Sequence, residues 1–210
     1  MKQMIKKVIR TIIYIFYIIF SPKLFHYFNL NLNLFYSMWK KNEFKNVEGL
    51  PFVNYPMYLQ GGKYITIGKG FGCDQRLRLD AIDEFLGNKF TPQIIIGENV
   101  SIQKDCHIGA INKIIIGSNV LFASKVFISD HSHGEITSEA LKFTPLQRKL
   151  HSKGPVVIED NVWLGEGVVV LSGVTIGENC IVGANTVVTK SIPKNSVVAG
   201  NPARIIKSIT

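Results

Sequence analysis

From Tyr64 onward an aliphatic residue returns every six positions, often with Gly behind it. Ile67 heads IGKGFG, Ile96 IGENVS and Ile102 IQKDCH. Ile116 heads IGSNVL, Phe122 FASKVF and Ile128 ISDHSH. After a gap Ile158, Leu164, Val170, Ile176, Val182 and Val188 resume the register. The fifth place of each unit is small or aliphatic too: Val100, Cys106, Val120, Val126, Val162, Val168, Val174, Cys180 and Thr186. A period of six suits neither a helix nor a meander. It predicts a solenoid of short strands and tight turns, three units to a triangular coil. The recurring aliphatic residue points inward, and successive coils stack like on like into one apolar column. Gly97, Asn99, Gly117, Asn119, Gly177 and Asn179 tolerate the positive φ of the turns. The fold class is therefore mainly β, a parallel β-helix.

The period breaks in informative places. Residues 80–92 form a small excursion, a two-residue slip falls at GAINK, and residues 129–155 form a long excursion. Long insertions leave the prism and lie over a neighbour, where function collects. We divide the chain into residues 1–60, a segment outside the repeat, and residues 61–207, the solenoid.

Charge sets the first segment apart. The chain carries 24 Lys and Arg against 15 Asp and Glu, a net of +9. Seven of the basic residues (Lys2, Lys6, Lys7, Arg10, Lys23, Lys40 and Lys41) lie within residues 1–42, which hold no acid. The repeat is close to neutral, which argues against a nucleic-acid partner. Lys2–Arg10 is basic and Ile12–Phe20 is an unbroken apolar run. A signal peptide would need a small-residue cleavage site where Ser21-Pro22-Lys23 stands. A transmembrane helix needs about 20 apolar residues, twice this run. The remaining readings are a helix over residues 1–22 lying at an anionic membrane surface, or one packing on the protein or another subunit. Pro22 would end or kink it. Residues 24–60, without clear period, read as a connection that caps the solenoid. Cys73, Cys106 and Cys180 occupy apolar places of the repeat and read as reduced core thiols of a cytoplasmic protein.

Four blocks carry a family resemblance: ISDHSHG (128–134), KGPVVIEDNVWLG (153–165), GVTIGENCIVGANTVVTKSIP (173–193) and AGNPARIIK (199–207). The chain resembles the hexapeptide-repeat acetyltransferases, in the branch of the galactoside, maltose, nodulation and surface-polysaccharide O-acetyltransferases. The resemblance covers residues 64–207. It implies a left-handed β-helix, a homotrimer with sites between subunits, and acetyl-CoA as donor with no metal. The acceptor it implies is a sugar hydroxyl of a bacterial surface polysaccharide or its lipid-linked precursor. An amino sugar, serine or antibiotic hydroxyl remains an alternative, as does a non-catalytic assembly module. A lipid-linked acceptor would place the enzyme in the cytoplasm, peripheral at the inner face of the membrane.

Carried onto this sequence, the resemblance makes His131 the general base. Imidazole titrates near neutral pH and suits removal of an alcohol proton. His133 and Asp130 fall to the acceptor side. Asn112, in the slip, either meets a sugar hydroxyl or serves its own turn. Trp163 lies at the reacting end of the donor groove, and Glu166 where a backbone N–H meets the thioester oxygen. Ala184 leaves room for the pantetheine arm. Thr189, Lys190, Arg204 and Lys207 fall to the coenzyme, the cations to its phosphates. Related solenoids with a three-histidine metal site raise a metal alternative for His107, His131 and His133. The NPAR block at 201–204 favours acetyl transfer over it.

Overall fold

The computed structural model describes residues 2–209. Helix α1 (Lys2–Ile19) leads into helix α2 (Pro22–Lys41). The rest is a three-sided parallel β-helix. Face A stacks strands Asn46–Val47, Ile65–Ile67, Gln93–Ile96, Lys113–Ile116, Val156–Ile158 and Thr175–Ile176. Face B runs from Phe52–Val53 through Gly72–Cys73, Ser101–Ile102, Leu121–Phe122, Trp163–Leu164 and Ile181–Val182 to Ser196–Ala199. Arg204–Ser208 folds back antiparallel on its edge. Face C stacks Tyr58–Gln60, Arg78–Ala81, His107–Ala110, Phe127–Ser129, Val169–Val170 and Val187–Val188.

The hexad residues line the interior as their spacing requires. Ile67, Ile108, Phe122, Ile128, Ile158, Leu164, Val170, Ile176 and Val188 have no exposed surface. Cys73, Cys106 and Cys180 are buried free thiols. One corner of the prism repeats a left-handed residue, with Asn99, Asn119, Asn161, Asn179 and Asn195 at φ 53–59°. Their amides stack from coil to coil, Asn99 donating to Asn119 and Asn119 to Asn161 at 3.2 Å. A short side chain that tolerates this backbone and bonds its own copy is why Asn recurs there.

Two expectations change. The solenoid begins before residue 61: Asn46–Val47, Phe52–Val53 and Tyr58–Gln60 pair with the next coil as a first turn. Val47, Val53 and Leu59 already keep the six-residue spacing, but Gly49-Leu-Pro and Asn54-Tyr-Pro between them mask it. Residues 24–41 are not an irregular connection but most of α2. Its run Asn29-Leu-Asn-Leu-Asn-Leu alternates like a strand. Helix is favoured instead by the Ser21 cap on Leu24 N–H, by Pro22 at the first turn, and by packing at the far end. Pro22 therefore starts a second helix while ending the first. There the Ser37 hydroxyl accepts from Val53 N–H at 2.8 Å, and the Tyr36 hydroxyl bonds both Met57 N–H and C=O at 3.1 Å. The end of α2 thus closes the open end of the apolar column, as terminal caps of solenoids must.

Candidate active site

The long excursion leaves the prism after Ser129 at the corner between faces C and A. The short antiparallel pair Ser132–His133 and Leu150–His151 holds its base together. Ser172 ties the excursion to the next coil, its hydroxyl donating to Asp130 C=O at 2.6 Å.

Asp130 is fully buried. One carboxylate oxygen accepts from Ile111 N–H at 2.9 Å and faces His131 Nδ1 at 3.0 Å. The other accepts from Asn112 N–H at 2.8 Å. Complete burial keeps both oxygens of Asp130 from an acceptor, and the expected acceptor contact is corrected to an orienting one. A carboxylate fixed by two backbone donors places the ring proton on Nδ1 and leaves the Nε2 lone pair free. Ser129 Oγ lies 3.3 Å from the same Nδ1 and donates to His131 C=O at 2.9 Å. The His131 side chain is only 14% exposed, so its orientation is held on every side.

His131 opens on a recess of about 640 Å³ that runs beneath the excursion past Lys153, Leu171 and Ser172 to Thr189. Lys190 follows, exposed. On the opposite side of His131, toward the N-terminal coils, lie His107 and Asp80. The small excursion, residues 80–92, forms the hairpin Glu84–Phe85/Asn88–Lys89, and Phe85 meets His133 edge to face at 5.4 Å. Both excursions therefore meet above face C. The Asn112 side chain is exposed and makes no hydrogen bond among the described residues. Asp80, Arg78 and Phe85 were missed in the sequence, and His107 was weighed only as a metal ligand. They come from coils separated by insertions, and only the parallel register brings them together.

The remaining candidates lie on another part of the prism. Trp163 stands on face B, about half exposed. Glu166 and Ala184 are exposed at the corner between B and C. The Glu166 carboxylate meets Lys125 at 3.3 Å, while its backbone N–H donates to nothing among the described residues. Arg204 and Lys207 are exposed on the returning strand of face B, without an ion-pair partner among the described residues. Within one chain the width of face C separates this group from His131. The thiols take no part: burial pushes Cys73 up to about 12 and Cys106 up to about 11, which keeps both protonated and unreactive.

A three-sided parallel β-helix built on a six-residue repeat defines a class, the hexapeptide-repeat transferases. The family model "Bacterial transferase hexapeptide (six repeats)" matches residues 155–190. An Escherichia coli K12 protein named for O-acetyl transfer in lipopolysaccharide biosynthesis, WbbJ, is 41% identical over 159 residues, 74% of this chain and 77% of its own. A maltose O-acetyltransferase from Clostridium difficile 630 is 36% identical with a TM-score of 0.59, covering 70% of this chain and 72% of that one. A hexapeptide-repeat acetyltransferase from Vibrio cholerae O1, VCA0836, solved with acetyl coenzyme A, is 25% identical with a TM-score of 0.55. It covers 82% of this chain and 75% of that one. The chain belongs to the hexapeptide-repeat acetyltransferases, enzymes that take the acetyl group from acetyl-CoA.

Proposed function

We propose that this acetyltransferase acetylates a sugar hydroxyl, in a unit of a surface polysaccharide or its lipid-linked precursor, with His131 as general base. The observation that carries the reading is the Asp130–His131 pair, buried at its carboxylate end, with His131 lining the recess that leads to Thr189. The relatives' names supply the class of acceptor.

The chemistry follows from the geometry. His131 Nε2 takes the hydroxyl proton as the oxygen attacks the thioester carbonyl carbon, and Asp130 steadies the imidazolium that results. A free backbone N–H such as that of Glu166 suits the oxyanion of the tetrahedral intermediate. The carbon–sulfur bond then breaks, and His131 returns the proton to the leaving thiolate. No covalent enzyme intermediate is required.

Trp163, Glu166, Ala184, Arg204 and Lys207 join His131 in one site when a second copy turns the face-B side of its prism toward the His131 corner. A closed three-fold assembly makes three such sites. Thr189 and Lys190 then line the donor groove from the His131 side, Ala184 gives the pantetheine arm room, and the free cations Arg204 and Lys207 meet phosphate. Helix α1 rests at the inner face of the membrane, near a lipid-linked acceptor.

Replacing His131 by Ala tests the base. Acetyl transfer should fall at least about 100-fold, while oligomeric state and acetyl-CoA binding persist. Turnover near that of the unmodified enzyme would remove the assignment.

A further inference from the structure

Helix α2 is amphipathic in the opposite sense to a helix that caps a prism in water. Its polar side turns inward. The Asn33 amide donates to Asn54 Oδ1 at 2.6 Å, and the Ser37 and Tyr36 hydroxyls bond the backbone of Val53 and Met57. On another side Phe25, Phe28, Leu32, Phe35 and Trp39 follow one another at spacings of three and four, which sets them in one stripe along the helix. All five are close to half exposed or more, from 47% at Leu32 to 70% at Phe35. A surface helix in water does the reverse and keeps its apolar stripe against the core.

The aromatic surface does not end with the helix. Tyr36 meets Trp39 edge to face at 6.3 Å and Tyr55 at 5.3 Å, and Tyr55, in the first coil, is itself 64% exposed. The patch is therefore continuous from α2 onto the prism and fixed to it. Charge decides what covers it. The chain has no acid before Glu43, while Lys23 stands in the first turn of α2 and Lys41 ends it. A second copy laid along the stripe would bring these cations against their own kind without a counter-charge. Anionic headgroups supply that charge. Phe and Trp flanked by lysines also suit the boundary between headgroups and acyl chains.

We propose that this stripe of α2 is a second lipid-binding surface, lying in the headgroup boundary of an anionic bilayer with Lys23 and Lys41 among the headgroups. The inference rests on the membrane reading of α1 above and extends it to a helix bonded to the prism. The difference has a consequence for the enzyme. No side chain of α1 is buried, so α1 tethers the molecule without orienting it. Helix α2 is held through Asn33, Tyr36 and Ser37, so its contact with lipid sets the first coil of the prism at the bilayer. Each contact is weak by itself, and stable anchoring takes both.

The test uses the full-length chain, whose two tryptophans are Trp39 and Trp163, with none in α1. In Trp163→Phe, fluorescence reports on the stripe alone. Titration with vesicles of phosphatidylglycerol and phosphatidylcholine should shift the Trp39 emission to the blue. Lipids brominated in the upper acyl chain should quench it. In the chain with both tryptophans, Phe28→Ser together with Phe35→Ser should weaken partitioning into the same vesicles about 10-fold or more. Both positions are exposed, so far-UV circular dichroism and oligomeric state should match the parent. Enzyme that floats with the vesicles while Trp39 neither shifts nor is quenched overturns this inference and leaves α1 as the anchor. Unchanged partitioning of the serine pair overturns it too. Dissociation of the oligomer by the serine pair assigns the stripe to a second copy, and the lipid role of α2 falls. Enzyme that does not bind anionic vesicles at all overturns both this inference and the membrane reading of α1.

Discussion

At the scale of single residues, the sequence singles out a candidate histidine but not what surrounds it. His131 is legible because the hexad register ends at Ile128 and the histidine follows at once. The role of Asp130 is not, because adjacency in sequence does not say where a side chain points. Only the folded turn sends its carboxylate inward to Ile111 and Asn112 N–H and round to Nδ1. This yields a sharp expectation for Asp130→Asn. The amide keeps the size but must present an N–H to donors or to the ring. The Nδ1 proton then loses its acceptor, and the wrong tautomer is populated. We expect kcat to fall by about 100-fold or more, with the acetyl-CoA KM unchanged, in steady-state assays across pH 6–9. A fall confined to KM would show instead that Asp130 serves binding. The Asp80–His107 pair lay further beyond reach, since its partners are 27 residues apart and the hairpin between them hides their register.

At the scale of elements, periodicity revealed almost all of the prism and little of its lid. Stacked strands of two to four residues each repeat one chemical demand, an inward aliphatic, so the signal accumulates along the chain. Helix α2 repeats nothing. Its placement depends on two buried side chains, Tyr36 and Ser37, and on strands more than a dozen residues later. Polar residues in an otherwise apolar helix end look like surface, but here they satisfy backbone groups at the open mouth of the column. Ser37→Ala should therefore cost more than a surface change. Val53 N–H would lose its acceptor while fully buried, at about 1–3 kcal/mol. Urea unfolding of the variant against the parent checks this through the midpoint. A shift within scatter would show that water reaches this end and that α2 is an accessory rather than the cap. The apolar exterior of α2 (Phe28, Phe35, Met38 and Trp39, all more than half exposed) lies away from the prism.

At the scale of the whole molecule, two features ask for something outside one chain. The first is the split of the proposed coenzyme residues between two parts of the prism, which the proposed three-fold assembly answers. The second is α1, an 18-residue helix of which no side chain is buried. It is about 27 Å long, and its four cations stand in the first ten residues. Beyond them Ile12–Phe20 is apolar on all sides. The net charge of +9, which first reads as a property of the protein, is mostly a property of this end. A helix with cations at one end and aliphatic and aromatic residues on its body suits an interface with anionic lipid. A packing role in the proposed trimer makes the same surface apolar but gives no reason for the cations. The two separate cleanly by experiment. In flotation with vesicles, the full-length enzyme should rise with a phosphatidylglycerol-containing bilayer and less with phosphatidylcholine alone. Raising salt should weaken binding. Removing residues 2–20, or reversing Lys2, Lys6, Lys7 and Arg10 to Glu together, should abolish it, while CoA release with a soluble glycoside is retained. Flotation unaltered by the deletion would sink the membrane role. Loss of the trimer on deletion would assign α1 to subunit packing, with the lipid surface left to the exposed face of α2.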